Sequence, residues 1–199
     1  MADVAEPVEA LIEPLPLRFF GDQVLRRVIA PVEDVDGALV ELSERMLVTM
    51  EQNNGVGLAA PQVGRTVRMF VHALGDEAPQ VLINPEIVHF DDEWVYSEGC
   101  LSIPGLYYEL VRPGTVHVKA IGIDGRELEI EADELLGRVI QHELDHLDGI
   151  LFVDRLSGEA RQHAHLELAA RVAGTLGAND PMLTGKNIPV LRRKLKIGL

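Results

Sequence analysis

The most informative segment of the sequence is Gln141-His142-Glu143-Leu144-Asp145-His146, at the start of QHELDHLDG (residues 141–149). It places two histidines four residues apart. Residues i and i+4 lie on one face of a helix, so both imidazoles can reach one metal ion. Glu143 lies beside the first histidine, where a carboxylate can take a proton from a metal-activated water without binding the metal. The segment therefore predicts a catalytic metal site on a helix.

The residues around this segment favour a helix from about 133 to 148. Apolar residues recur at steps of three and four, at Leu136, Val139, Ile140, Leu144 and Leu147. Asp133 is placed to cap the N-terminus, and Gly149 stands where the helix is expected to end.

Two histidines do not complete a catalytic metal site, which usually has three protein ligands and one open position. One protease class adds a third histidine six residues after the second, but Phe152 occupies that position here. Another class uses a glutamate about twenty residues further on, close to Glu167. The chain's single cysteine, Cys100, is predicted to lie in a loop between Gly99 and Pro104. The residues alone leave Glu167 and Cys100 as alternatives, the first of which would make the protein a zinc metallopeptidase.

A module with a purely structural metal is a third, non-enzymatic alternative. Structural sites usually have four protein ligands, often several cysteines, and this chain has one cysteine. The sequence therefore favours an enzyme.

Composition sets further limits on the class of protein. The chain has 199 residues, 47% hydrophobic and 25% charged, which is the balance of one globular domain. A net charge of −14 argues against a nucleic-acid-coating protein. One cysteine excludes an intramolecular disulfide and fits a reducing compartment. Without a signal peptide or a membrane-spanning apolar run, we expect a cytoplasmic protein that makes no membrane contact.

Local patterns predict an α+β domain. A helix is expected from Asp34 to Asn53 and another from Ser157 to about residue 176. The strands are predicted at 66–74, 80–84, 86–96, 107–112, 115–123 and 126–131. Asp124-Gly125 is a strong hairpin signal between the last two. We therefore expect a single domain at 17–176, in which antiparallel strands pack around the metal-binding helix. A flexible N-terminal arm (1–16) and an irregular basic C-terminal tail (177–199) are expected to flank it.

Three motifs occur in order along the chain: GVGLAAPQ at 55–62, EGCLS at 98–102 and QHELDH at 141–146. Together they resemble the motifs of the bacterial-type peptide deformylases, which remove the N-formyl group from nascent bacterial and organellar proteins. The resemblance runs from about Leu17 to Leu156, and RFFGDQVLR at 18–26 is similar to the family's opening segment.

The resemblance implies a set of roles. The metal ligands that it implies are Cys100, His142 and His146. It also implies that metal-bound hydroxide attacks the formyl carbon with Glu143 as general acid/base, while Gln62 and the backbone N–H of Leu101 face the formyl oxygen. The cofactor implied is one divalent ion, natively Fe(II), with Zn, Ni or Co as alternatives.

Further residues are implied to support the site and bind the peptide. Glu98 and Arg112 are expected to pair and hold the cysteine segment. The substrate-binding residues implied are Val56, Gly57, Leu58 and Val139. Residues 56–58 would line the approach, with Gly57 offering backbone to an extended N-formylmethionyl peptide, and Val139 would floor the methionine pocket. Arg138 departs from the apolar residue often found at its position, which bears on the polarity of the pocket rim.

The tail suggests one partner. Residues 186–199 carry five basic residues and no acidic residue. A transient contact with the phosphate-rich ribosome is one expectation, and a tail folded back on the acidic body is the alternative.

Overall fold

Within residues 12–75 and 77–174, which a computed structural model of the protein describes, the chain forms three α-helices and seven β-strands. The helices are α1 (Gly37–Gln52), α2 (Glu134–Leu147) and α3 (Gly158–Val172). The strands are β1 (Gly57–Ala59), β2 (Met69–His72), β3 (Gln80–Asp91), β4 (Trp94–Cys100), β5 (Ile103–Arg112), β6 (Thr115–Ile121) and β7 (Glu127–Asp133).

The strands form two antiparallel sheets. Five strands pair in the order β1-β2-β3-β6-β7, and β4 and β5 form a separate hairpin. The turn predicted at Asp124-Gly125 joins β6 to β7, and Gly125 adopts the left-handed conformation with φ 78°. β1 is an edge strand, so one side of its backbone has no strand partner within its sheet.

The predicted break between two strands at Asn84-Pro85 is wrong. β3 runs through both residues, and a register shift between Ile83 and Glu86 accommodates the proline, which has no N–H to donate. The Asn84 side chain accepts from the N–H of Val32 and donates to its carbonyl, both at 2.8 Å. The predicted strand 86–96 is instead divided where Asp92 turns the chain with φ 58°.

The loop predicted around Cys100 is also wrong. β4 continues to Cys100, which pairs with Ile103, so only Leu101 and Ser102 form the turn into β5. A register shift between Glu98 and Cys100 lets the strand pass Gly99, the residue whose presence suggested a loop. The cysteine is therefore fixed at the end of a paired strand.

Helix α2 lies between the two sheets. Its residues Ile140 and Leu147 are fully buried in a cluster with Phe70 of β2 and Val116 of β6. Gly137 allows close packing, because a Cβ there would lie 2.9 Å from the carbonyl oxygen of Ala132. Hydrogen bonds join the opposite side of the helix to the β4–β5 hairpin. This arrangement confirms the predicted α+β domain with strands around a central helix.

Among the three α-helices, a side-chain capping hydrogen bond marks the start of α1 only. Asp36 accepts from the backbone N–H groups of Ala38 and Leu39, so α1 begins at Gly37, three residues later than predicted. Asp133 and Ser157 occupy the N-cap positions of α2 and α3, but neither side chain makes a capping hydrogen bond. Gly149, with φ 72°, follows the C-cap of α2, where the sequence predicted the end of the helix.

The folded body begins before residue 17. Leu15, predicted to belong to a flexible arm, is 6% exposed, and its N–H donates to Thr49 Oγ1 of α1 at 2.7 Å. Residues 1–11 of that arm and the predicted basic tail at 177–199 lie outside the described residues. None of the helices in the described ranges has the length and apolar character needed to cross a bilayer.

Candidate active site

Three ligand groups meet between α2 and the end of β4. The sulfur of Cys100 and one nitrogen each of His142 and His146 lie within 4.8 Å of one another. Cys100 Sγ is 3.2 Å from His146 Nε2. The histidines are one turn apart on α2, with ring centroids 5.1 Å apart. A thiolate and two imidazoles are a ligand set that suits a first-row transition metal such as zinc or iron, with room for a fourth ligand.

Glu98 orients the first histidine from behind. Its Oε2 lies 3.1 Å from His142 Nδ1, which leaves Nε2 to face the cysteine. Arg112 binds the same carboxylate through two nitrogens, at 2.6 and 2.9 Å. Arg112 also donates to Asp145 Oδ2 at 2.7 Å, and Arg155 donates to Asp145 from the surface. The pair predicted from the sequence, Glu98 and Arg112, thus extends into a buried network.

Electrostatics at the group suit a bound cation. Burial acts to lower the pKa of His142, but hydrogen bonds with Cys100 and Glu98 outweigh it and raise the pKa well above its usual range. Neighbours that raise a histidine pKa stabilise positive charge at that point. Burial lowers the pKa of His146 well below its usual range, which favours the neutral imidazole that a metal requires. Burial also acts to raise the pKa of Glu98, but hydrogen bonds from His142 and Arg112 hold it well below its usual range.

Glu143 lies in the same pocket with one oxygen free. Among the described residues, no group hydrogen-bonds to its buried Oε2. Burial raises the pKa of Glu143 to about 7, against the opposing charge of His142. Its Oε1 packs against Gly57 of β1, where a Cβ would lie 2.5 Å away. A carboxyl group with a pKa near neutrality and a free oxygen can both accept and return a proton.

Gln62 is held with its amide nitrogen towards the cysteine. Its Oε1 accepts from the N–H of Ala59 at 2.7 Å, which fixes the side-chain orientation. Its Nε2 lies 3.6 Å from Cys100 Sγ and 3.4 Å from Ser102 Oγ. Leu101 begins the two-residue turn after Cys100 and lines the same cavity.

A cavity of about 640 Å³ opens onto these groups. The predicted site residues that line it are Val56, Gly57, Gln62, Glu98, Cys100, Leu101, Val139, His142 and Glu143. The prediction that Leu58 lines the cavity is wrong for its side chain, which is fully buried in a core cluster with Met46 and Val71. Strand alternation would put Val56 and Leu58 on one face, but β1 begins only at Gly57, so Val56 lies outside the strand and does not share its alternation.

Arg138, which departs from the apolar residue often found at its position, lines the cavity but is only 3% exposed. Its guanidinium binds Glu98 and two backbone carbonyls. Sequence reasoning also missed Asp145 and Ser102. A signal for Asp145 was available: it stands three residues after His142 and Arg138 stands four residues before, so all three share one face of α2.

Glu167, the alternative third ligand, is not part of the group formed by Cys100, His142 and His146. Its carboxylate pairs with Arg171 at 2.5 Å on α3. Within the described part of the chain, Cys100 is the residue that completes a possible metal site with the two histidines. The fold and this Cys-His-His group together define a class of metal-dependent hydrolases.

Comparisons with known proteins narrow that class. The sequence model of the family described as polypeptide deformylase matches residues 14–162. The peptide deformylase of Clostridium botulinum is 51% identical over 139 residues, which are 70% of this chain and 94% of the relative. That of Mesorhizobium japonicum is 48% identical over 147 residues, 71% of this chain and 84% of the relative.

Solved structures agree with the sequences. The crystal structure of a peptide deformylase from Legionella pneumophila has a TM-score of 0.76 and 39% identity, covering 84% of this chain and 99% of that one. The crystal structure of a peptide deformylase from Synechococcus elongatus in complex with actinonin has a TM-score of 0.74 and 41% identity. The match covers 84% of this chain and 92% of that one. The chain therefore belongs to the polypeptide deformylase family, enzymes that remove the N-formyl group from nascent peptides.

Proposed function

We propose that this chain deformylates N-formylmethionyl peptides at the cavity between β1, the β4–β5 hairpin and α2. The observation that carries the proposal is the meeting of Cys100, His142 and His146 beside the free oxygen of Glu143. Cys100 Sγ and one nitrogen of each imidazole would hold a single divalent ion. We expect Fe(II) natively, with Zn, Ni or Co as alternatives, because the donor set accepts all four. When bound, the ion would polarise the formyl group and lower the pKa of a water molecule.

Glu143 is the proton carrier in this proposal. Its Oε2 would accept the proton of the attacking water and return it to the nitrogen of the departing peptide amine, so that formate and a free amino terminus result. Burial raises the pKa of Glu143 to about 7, close to neutral pH, which supports a role as proton carrier. Gly57 packs against Glu143, where an added Cβ would lie 2.5 Å from Oε1, and this limits the movement of the carboxyl group.

Two hydrogen-bond donors would stabilise the negative charge that develops on the formyl oxygen. Gln62 Nε2 is oriented by the Ala59 hydrogen bond and needs no rearrangement. The backbone N–H of Leu101, next to Cys100, is the second donor. Donors fixed in advance stabilise a developing oxyanion more than donors that must reorganise.

The peptide would bind by adding a strand to β1. That strand lies at the sheet edge, and residues Val56 and Gly57 line the cavity beside it. Val139 on α2 would form the floor under the methionine side chain. Because the substrate is a nascent chain, we infer that the protein acts in the cytoplasm.

The test is formate release from formyl-Met-Ala-Ser by protein prepared without oxygen. We expect acetyl-Met-Ala-Ser to be hydrolysed far more slowly, because the added methyl group crowds the metal centre. Equal rates on the two peptides, or cleavage of internal peptide bonds, would contradict the proposal.

A weak contact with the ribosome through the basic tail is a separate proposal. The five basic residues at 186–199 suit a phosphate-rich surface on a chain that is otherwise acidic. Deleting residues 186–199 should leave activity on short peptides unchanged and reduce co-sedimentation with ribosomes at low salt. Loss of stability or of peptide activity would instead show that the tail belongs to the folded domain.

A further inference from the structure

Arg138 lies on the buried face of α2, one turn before His142. Its Nη1 donates to Glu98 Oε1 at 2.8 Å and to the carbonyl of Leu110 at 3.0 Å, and its Nη2 donates to the carbonyl of Trp94. The guanidinium also lies over the Trp94 ring, 5.1 Å from its centroid. All these partners belong to β4 or β5, so Arg138 connects the helix that carries the histidines to the hairpin that carries the cysteine.

The Glu98 carboxylate is completely occupied. An ionised carboxylate has about four lone-pair positions. Arg112 Nε and Arg138 Nη1 donate to Oε1, while Arg112 Nη2 and His142 Nδ1 face Oε2. In this arrangement Glu98 cannot rotate or accept a water without losing a partner. Without Arg138, Oε1 would have one open position and the carboxylate could tilt away from His142.

We propose that Arg138 is a positioning residue for the metal centre, which fixes the Glu98 carboxylate and, through it, the His142 ring. The proposal rests on the proposed function, because it takes His142 as a metal ligand. Groups behind a metal-binding histidine typically change metal affinity by about 10- to 100-fold when removed. The effect of Arg138 should therefore be visible in metal affinity and not only in stability.

Arg68 provides a matched control for a purely structural role. Its Nη1 donates to the carbonyls of Ile29 and Leu147, at 3.3 and 3.5 Å, and to Asp148 Oδ1 at 2.8 Å. Arg68 thus also ties α2 to its surroundings through backbone carbonyls and a carboxylate. Its hydrogen-bond partners among the described residues include neither Glu98 nor any of the three proposed ligands.

The experiment compares Arg138→Met with Arg68→Met. Metal affinity is measured by competition with a chelator, and the Co(II)-loaded proteins are compared by visible absorption, which reports the ligand geometry. We expect Arg138→Met to lower metal affinity by about 10- to 100-fold and to shift the Co(II) bands. Arg68→Met should lower the unfolding temperature and leave affinity and spectrum unchanged. Equal metal affinity and an unchanged spectrum in Arg138→Met would overturn the proposal.

A double-mutant cycle tests the route through Glu98. In a Glu98→Gln background, Arg138→Met should cause little further loss of affinity, whereas fully additive losses would contradict action through Glu98. Should Arg138→Met fail to fold, Arg138→Lys keeps a cation beside Glu98 but cannot reach all three acceptors at once. The lysine variant should retain an affinity within a few-fold of wild type if Glu98 is the partner that matters, and an affinity as low as that of Glu98→Gln would speak against this.

These outcomes are separable from those that test the proposed function. If wild-type protein binds no metal, or binds it equally well after Cys100→Ala, the proposed metal centre is wrong. If wild-type protein binds metal through Cys100 and Arg138→Met behaves as Arg68→Met does, only the positioning role is wrong.

Discussion

Cys100 and Glu167 were the two alternatives for the third metal ligand, and their surroundings in the structure differ. Cys100 Sγ lies with both histidines, and Glu167 is paired with Arg171 on another helix. We therefore predict that Cys100→Ala abolishes tight metal binding, because two histidines alone form an incomplete site. Glu167→Ala is the control and should retain full metal content. Metal analysis of both purified proteins checks the prediction, and the reverse result would favour a metallopeptidase.

Glu143 shares a pocket with the three proposed ligands, and the role proposed for it is a different one. We predict that Glu143→Ala keeps near-wild-type metal content and lowers kcat by about 10²–10⁴-fold, the usual contribution of a positioned acid or base. Metal stoichiometry and formate release should be measured on the same preparation. A variant that contains no metal would show that Glu143 acts as a ligand.

At the scale of elements, β1 and α2 approach so closely that only glycine fits between them. A Cβ at position 57 would lie 2.5 Å from Glu143 Oε1 and 2.8 Å from Val139 Cγ1. Gly57 pairs with His72, so the strand cannot easily move away. We predict that Gly57→Ala displaces the Glu143 carboxyl group and lowers kcat/KM by about 10- to 100-fold, the scale of cost of a misplacement near 1 Å.

Gly37→Ala is the control for that substitution. Gly37 lies at the start of α1, and a Cβ there meets nothing within 4 Å. Its kinetic constants should equal those of wild type. Wild-type kinetics in Gly57→Ala would mean that the carboxyl group tolerates the displacement and that its placement is not critical.

At the scale of the whole molecule, His72 links stability to pH. It is 5% exposed on β2, its Nε2 has no hydrogen-bond partner among the described residues, and burial lowers its pKa from 6.5 to about 4. Between pH 6.5 and about 4, His72 is protonated in the unfolded chain but not in the folded chain. The free energy of unfolding therefore falls as the pH drops through this range. The loss reaches as much as about 3 kcal/mol.

We therefore predict that His72→Gln flattens this part of the stability profile. Denaturant unfolding at several pH values between 4 and 7 measures it, and the difference from wild type cancels the contribution of other groups. His165→Gln, an exposed substitution on α3, should leave the profile as it is in wild type. Parallel profiles for wild type and His72→Gln would show that His72 is not the source of the acid sensitivity.

Features that depend on local spacing could be read from the sequence alone. The i, i+4 spacing places two candidate ligands on one helical face, the 3.6-residue period predicts the burial of Ile140 and Leu147, and Asp124-Gly125 predicts the hairpin. The family resemblance could be recognised from three short motifs in a fixed order, at 55–62, 98–102 and 141–146.

Tertiary structure decided what depends on residues far apart in the chain. Cys100 and His146 are 46 positions apart, and only the packing of the β4–β5 hairpin against α2 brings them to 3.2 Å. The same packing buries Arg138 and gives its two terminal nitrogens partners in Glu98 and two backbone carbonyls. A local pattern specifies which face of an element a residue occupies, whereas its partner across the interface is set by how the elements pack together.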